Sequence, residues 1–279
     1  MKGINNGLLI FALVLFVFTS GKAQHKSEGI STGKFAEYVQ ATKEYDEESK
    51  TTYYLTRIKH KDKAGNIIKL QTEFANEIEG EVTRDFAIRK NSSVAFNASM
   101  GLRNLPPNIR KPKGIQIIDG VIKQEQSTGY YVLGIKDDNE LLAYPPTMKA
   151  TDILKDGTKT ALTGFIPLIE NHEIVSEELF KIAGHLKKHP RQVIAQFNNK
   201  DILILSCGGR GIDGEGMTAY DLSRILKKLN VRFALNLDGG GSVSTVIGDH
   251  LITKKIDEKG TKDRPRPNFL YVKITNEVR

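Results

Sequence analysis

The 279-residue chain has no tryptophan and one cysteine, Cys207. A lone cysteine excludes any intrachain disulfide, so stability must come from packing. The missing Trp removes the strongest stacking residue for a carbohydrate-binding module, although Tyr and Phe remain. No Pro/Gly/Ser-rich linker divides the chain, and no repeat of fixed period runs along it. The six histidines show no paired metal-ligand spacing. The glycine run at 239–241 is not Gly-x-Gly-x-x-Gly and lacks the lysine of a P-loop, so nucleotide-binding fingerprints do not fit it. Acidic charge is the scarcer sign: 41 Lys and Arg stand against 33 Asp and Glu, for a formal charge of +8. That excess favours anionic ligands such as phosphodiesters or acidic glycans. It is too modest and dispersed to point to nucleic acid.

The start of the chain addresses location. Lys2 precedes the apolar run Leu8 to Phe18, and Thr19-Ser20-Gly21-Lys22-Ala23 follows. A positive start, a short apolar run and a small-x-small site make a secretory signal peptide spanning 1–23. The run is shorter than the ~20 residues a membrane span requires, so no membrane span is expected after cleavage. With no Cys near the cleavage site, a lipid anchor is not expected either. The mature protein is expected to be secreted or periplasmic, with residues 24–50 as a polar surface arm and 51–279 as one domain.

Local patterns point to many strands and few helices. Thr51 to Ile58 is β-branched and aromatic, and with Ile67 to Leu70 it predicts a hairpin over 51–74. Hairpins are also predicted over 114–122, 130–144, 161–175 and 192–206, each broken by turn residues. Helical spacing is confined to Glu81–Lys90, a short piece from Thr151, and Thr218–Leu229. In the last, Thr218 and Asp221 form a capping box, and Leu222, Ile225, Leu226 and Leu229 form the apolar stripe. The expected fold class is α+β: a mixed, mostly antiparallel sheet core with a few flanking helices in a single domain.

Chemistry concentrates where strands stop. Phe233-Ala234-Leu235 runs into Asn236-Leu237-Asp238-Gly239-Gly240-Gly241-Ser242. Three glycines in a row exceed what a tight turn needs. They permit φ > 0 and close ligand approach, and their N–H groups can form an anion-binding concavity. Asn236 and Asp238 would share one face of the strand. Phe96 likewise ends at Asn97-Ala98-Ser99, and Leu205-Ser206 leads to Cys207-Gly208-Gly209-Arg210. The loop Gly211–Gly216 carries Asp213 and Glu215 and feeds the helix at Thr218, whose N-terminus can attract an anion. Arg210 could grip a phosphate bidentately, with Arg191 as a second candidate. Each has a plainer reading: an arginine can be a salt-bridge partner, Glu215 a solvated loop charge, and Cys207 a buried filler. His185 and His189 lie in a lysine-rich stretch that reads as an exposed helix face.

These residues carry a resemblance. Gly216-Met217-Thr218, the helix to Leu229, and Ala234 to Ser242 resemble the signature of the phosphodiester glycosidase family. Ala95-Phe96-Asn97, Gly114-Ile115-Gln116-Ile117, Leu162-Thr163-Gly164-Phe165, Pro190-Arg191-Gln192-Val193-Ile194 and Arg264-Pro265-Arg266-Pro267-Asn268-Phe269 follow in the family's order. The resemblance covers roughly 80–275, in the bacterial secreted branch. It implies hydrolysis of a sugar-1-phosphodiester at the glycosidic C–O bond, with no cofactor and no metal. It assigns Asp238 as the catalytic carboxylate and Glu215 as the candidate second acid. Asn97, Ser99, Asn236, Thr218, Gly239, Gly240, Gly241 and Ser242 would contact substrate, while Arg210 and Arg191 hold the phosphate. Two departures stand out: Asn97-Ala98-Ser99 replaces the usual Asn-Gly-Gly or Asn-Gly-Asp, and Gly208 stands where family members often carry an acid. Two other readings remain open, a non-catalytic module binding anionic glycans and a metal-dependent phosphodiesterase using Asp213, Glu215 and Asp238 as ligands.

Overall fold

An eight-stranded sheet forms the middle of the computed structural model, which describes residues 27–102, 105–106 and 108–274. Its strand order is Glu28–Ile30, Val39–Asp46, Thr51–Ile58, Ile202–Cys207, Arg191–Gln196, Phe233–Asn236, Pro167–Glu170 and Glu173–Ile174. The central strands are apolar almost without alternation because both sheet faces are covered. On one face the helix Ala219–Lys228 lays Leu222, Ile225 and Leu226 over Val193, Ala195, Leu205 and Ala234. Each buried leucine or isoleucine there stabilises by about 2 kcal/mol. On the other face Ile194, Ile204 and Leu235 meet Phe96, Leu133, Leu162 and Leu270 from two five-stranded sheets.

One smaller sheet runs Val121–Gln124, Gln116–Ile118, Thr160–Thr163, Val132–Ile135, Leu141–Tyr144; the other runs His250–Leu251, Thr245–Ile247, Val94–Asn97, Asn268–Val272, Leu70–Phe74. Among the described residues the strand pairings are antiparallel. The α+β expectation holds, with short helices and one compact domain.

Three local expectations are corrected. The stretch expected as a polar arm is part of the central sheet: Val39–Asp46 pairs along its whole length with Thr51–Ile58. Val39, Ala41, Glu44 and Asp46 are buried, and Arg224 on the helix holds the Asp46 carboxylate at 2.7 Å. A polar strand can be buried when its charges are paired, which composition alone conceals. The 51–74 hairpin closes only at its tip, where Lys61 bridges Ile67; Thr51–Ile58 pairs with its neighbours in the central sheet while Leu70–Phe74 pairs with Asn268–Val272. The 161–175 hairpin closes where Pro167–Glu170 pairs with Glu173–Ile174, but its first strand is split between two sheets, the break falling at Gly164. A Cβ at Gly164 would sit 2.3 Å from Leu235 Cδ2 and 3.1 Å from the Asn236 carbonyl oxygen, so a larger residue would have to displace the buried Leu235 where the chain crosses. The proposed signal peptide lies outside the described residues.

Candidate active site

The tip of strand Phe233–Asn236 is pinned from two sides. Leu237 N–H donates to the Gln192 carbonyl at 2.8 Å, and Asp238 N–H donates to the Ala98 carbonyl at 3.0 Å. Asn97 completes the clamp. Its Nδ2 donates to the Asp238 carbonyl at 2.6 Å, and its Oδ1 accepts from Ser244 N–H at 3.0 Å. Thus two sheets, joined only through tertiary contact, fix one loop.

Asp238 lies at a cavity of about 570 Å³ whose other lining groups include Tyr130, Phe165, His189, Arg191, Arg210 and Arg264. Arg110, Gly239, Gly240 and Ser242 also reach it. Asp238 is the cavity's one carboxylate among the described lining residues. Burial pushes its pKa up to about 6, partly offset by the Ser242 hydroxyl, by Arg264 and Arg266, and by the Gly239 N–H. At neutral pH the group is therefore mostly ionised but close enough to its pKa to exchange protons.

The cations differ in how far they are neutralised. Arg264 is gripped by Asp257, Nε at 2.7 Å and Nη2 at 2.9 Å. Arg210, half exposed and at φ +59°, meets the same carboxylate only at 3.4 Å. Arg191 is 4% exposed, and its Nε and Nη2 donate to the carbonyls of Met217, Gly184 and Lys187. No carboxylate pairs with it among the described residues. A buried guanidinium with no counter-charge is costly unless an anion arrives. His189 accepts from Arg210 Nη2 at 3.4 Å, and burial with Arg210, Arg191 and Arg264 around it lowers its pKa to about 4. It is neutral at pH 7.

The glycine run has a different explanation from the expected anion concavity. Gly240 N–H already donates to the Pro190 carbonyl, and the N–H groups of Ser242 and Val243 bond within the turn. The glycines are demanded by crowding. A Cβ at Gly239 would lie 2.4 Å from the Pro190 carbonyl oxygen; one at Gly241 would lie 2.2 Å from Asp257 Oδ1 and 2.4 Å from Arg264 Nη2. Gly240 adopts φ +62° with Arg210 Nη2 2.9 Å from its missing Cβ. Gly241→Ala is therefore expected to push the Asp257–Arg264 pair aside and cost about 1–3 kcal/mol. Urea midpoints would show it, and an unchanged midpoint would mean that the pair yields freely.

Several expected contacts do not form. Glu215 is exposed and paired with Lys188 at 2.5 Å, outside the cavity. Loop position 215 points along the surface toward that lysine, so Glu215 is not a second acid. Thr218 is spent on its own helix: its hydroxyl accepts from Asp221 N–H and donates to Asp221 Oδ2. Asn97 and Ser99 are buried behind the cavity. Ser99 Oγ accepts from Gln116 and Asn268. Asn236 is buried too, because the strand ends there and the alternation expected to align it with Asp238 stops. Its Nδ2 donates to His185 Nε2 at 3.0 Å, while His185 Nδ1–H donates to the Ile182 carbonyl at 2.6 Å.

Neither His185 nor His189 is on an exposed helix face. His185 is wholly buried beneath Phe165, and His189 lines the cavity. His189, Arg264 and Arg110 are cavity residues that sequence reasoning gave no role. The motif Arg264-Pro265-Arg266 was the available signal for Arg264, since a proline fixes the backbone between two cations. The metal-ligand triad is not assembled either. Asp213 is held by Tyr54 Oη at 2.6 Å and Glu215 by Lys188, leaving Asp238 alone in the cavity.

A model of the phosphodiester glycosidase family matches residues 77–273. The chain belongs to the phosphodiester glycosidase family. It is 28% identical over 214 residues to the SPbeta prophage-derived uncharacterized protein YomE of Bacillus subtilis (strain 168). That match takes in 70% of this chain but 32% of the relative, so the chain spans about a third of that protein's length. Among solved structures, the zebrafish N-acetylglucosamine-1-phosphodiester α-N-acetylglucosaminidase catalytic domain, auto-inhibited by its pro-peptide, matches with a TM-score of 0.70. Identity is 17%, with 90% of this chain and 88% of that chain covered. A hypothetical protein from Synechocystis matches with a TM-score of 0.68 at 14% identity, covering 90% of this chain and 64% of that one. At such identities the likeness is one of fold.

Membership supports hydrolase chemistry of the phosphodiester glycosidase kind, and it makes the departure at Gly208 pointed. A Cβ at Gly208 would lie 2.4 Å from the Ile212 carbonyl oxygen and 2.5 Å from Asp213 Cβ. In this loop conformation no acid fits at 208.

Proposed function

We propose that the cavity hydrolyses the glycosidic bond of a sugar-1-phosphodiester, with an N-acetylhexosamine as the sugar, in envelope or extracellular glycans. The observation that carries this reading is the pairing of Asp238 with the carboxylate-free, buried Arg191 in one cavity. Water's oxygen would bond to the anomeric carbon while the C–O bond to phosphorus breaks. The electron pair leaves with a phosphate monoester; one proton of the water stays on the new anomeric hydroxyl and the other ends on the Asp238 carboxylate or in solvent. Asp238 supplies negative charge opposite the oxocarbenium-like transition state. Arg191 and Arg210 hold the departing phosphate. A phosphate monoester is a good leaving group, so one carboxylate suffices where an ordinary glycoside needs a second as acid.

Turnover of a sugar-1-phosphodiester in ¹⁸O-water tests it. The label is expected in the free sugar; label in phosphate would mean P–O cleavage and overturn the assignment. Product anomer then separates one-step inversion from a covalent two-step route. The rival reading, a module that binds anionic glycans without cleaving them, draws on the cavity's single carboxylate. Binding with no sugar released over hours would establish it.

A further inference from the structure

The cavity holds more positive charge than one phosphodiester can neutralise. Of its four lining arginines, Arg264 is matched by Asp257, and Asp238 offsets one charge among the other three, leaving two against a phosphodiester's one. Arg191 and Arg210 suffice for a single phosphate. Arg110 remains, exposed on the outer wall, with no ion pair among the described residues. Three residues on, Lys113 lies over the ring of the cavity-lining Tyr130, 4.9 Å from the centroid. It too lacks an acidic partner among the described residues. Residues 108–113 contain Arg110, Lys111 and Lys113 and no Asp or Glu. The wall is anchored, since Arg110 N–H donates to the Ile78 carbonyl and Lys113 N–H to the Met100 carbonyl. A cavity of about 570 Å³ falls among pockets that hold ligands of drug size, ~300–1,000 Å³.

We propose that Arg110 and Lys113 form a second anion subsite, which takes a further anionic group on the aglycone beyond the scissile phosphodiester. The substrate class is thus a sugar-1-phosphodiester whose aglycone is itself anionic. This rests on the reading of the cavity as a sugar-phosphodiester site, with Arg191 and Arg210 as the inner phosphate grip. The second group could be a carboxylate or another phosphate, since both match these donors.

The test has a binding arm and a turnover arm. Orthophosphate, pyrophosphate and tripolyphosphate are titrated by calorimetry at one physiological ionic strength, because screening scales all such contacts. Wild type is expected to bind tripolyphosphate about 10–100-fold more tightly than orthophosphate, the worth of one or two charge-assisted bonds. The double variant R110Q/K113Q is expected to lose that preference while keeping its orthophosphate affinity within about twofold. A Lys228→Gln control at the exposed end of helix Ala219–Lys228, outside the cavity, should change neither. Equal preference in the double variant, or equal loss for both ligands, overturns the subsite.

In turnover, phosphodiesters with neutral, carboxylate-bearing and phosphate-bearing aglycones are compared by KM, which separates the two anion types. An aglycone-dependent KM that the double variant abolishes supports the subsite. A KM blind to aglycone charge refutes it. Absence of turnover with an intact binding ladder would sink the glycosidase reading and leave the subsite standing.

Discussion

Asp238→Asn is expected to lower kcat by at least ~100-fold, while the folded state becomes no less stable. The asparagine keeps the shape and the backbone clamp of Asn97 and Ala98, which hold main-chain atoms rather than the carboxylate. The stability sign follows from titration. Asp238's carboxyl rises from 3.8 to about 6 on folding, so the unfolded chain gives up its proton first. Stability present at low pH is lost as pH climbs from about 4 to about 6, at a cost of order 1–3 kcal/mol above that window. The neutral amide escapes the loss. At pH 7.5 the variant's midpoint should match or exceed wild type, and at pH 4 the two should coincide.

Wild-type kcat/KM is expected to rise through a single limb near pH 6 as the carboxylate ionises. His189, at about 4, adds no limb between pH 5 and 8. Wild-type activity in Asp238→Asn would remove this carboxylate from the chemistry. Glu215→Gln is the control: its carboxylate is engaged by Lys188 outside the cavity, so kcat should not change.

Arg191→Gln should have the second largest effect. Its guanidinium is the buried cation beside the catalytic loop that no carboxylate offsets, and a bound phosphate would complete it. Loss of that charge is expected to reduce kcat/KM by about 100-fold, from a buried charge-assisted contact worth ~2–3 kcal/mol. Three carbonyl oxygens, of Met217, Gly184 and Lys187, would lose their donors, which adds about 1–3 kcal/mol of destabilisation. Activity and stability must therefore be measured together. Arg191→Lys separates them, because it keeps the charge while losing the fork of donors. Full activity in Arg191→Gln with the fold intact would show that phosphate is held elsewhere.

Much of the local structure was legible in the chain itself. The helix at Ala219–Lys228 has its capping box and apolar stripe written in adjacent residues. The hairpins over 114–122, 130–144 and 192–206 are bounded by their own turn residues. Local signals of this kind need no partner. What they could not carry is where a strand pairs once it leaves its hairpin, which is why 51–74 was assigned a partner it does not have. Burial of Val39–Asp46 depended on Arg224, far along the chain, being there to meet Asp46.

The site divides in the same way. Asp238 and the glycine run stood out by residue type, because a strand that stops in an acid and three glycines gives up side-chain packing where it would ordinarily continue; that crowding demands the glycines emerged only from the structure. Roles for Asn97, Asn236 and Thr218 rested on polarity and on the family resemblance, and neither distinguishes a group facing a ligand from one holding a backbone. Residue order alone thus determined most of the elements, the leading candidate carboxylate and the cationic excess, since each is set by neighbours a few positions away. Tertiary structure decided which arginines keep an unspent charge, why Gly208 admits no acid and why Glu215 stays outside. Those outcomes depend on groups that approach from other sheets, at distances of a few ångströms that no spacing along the chain records.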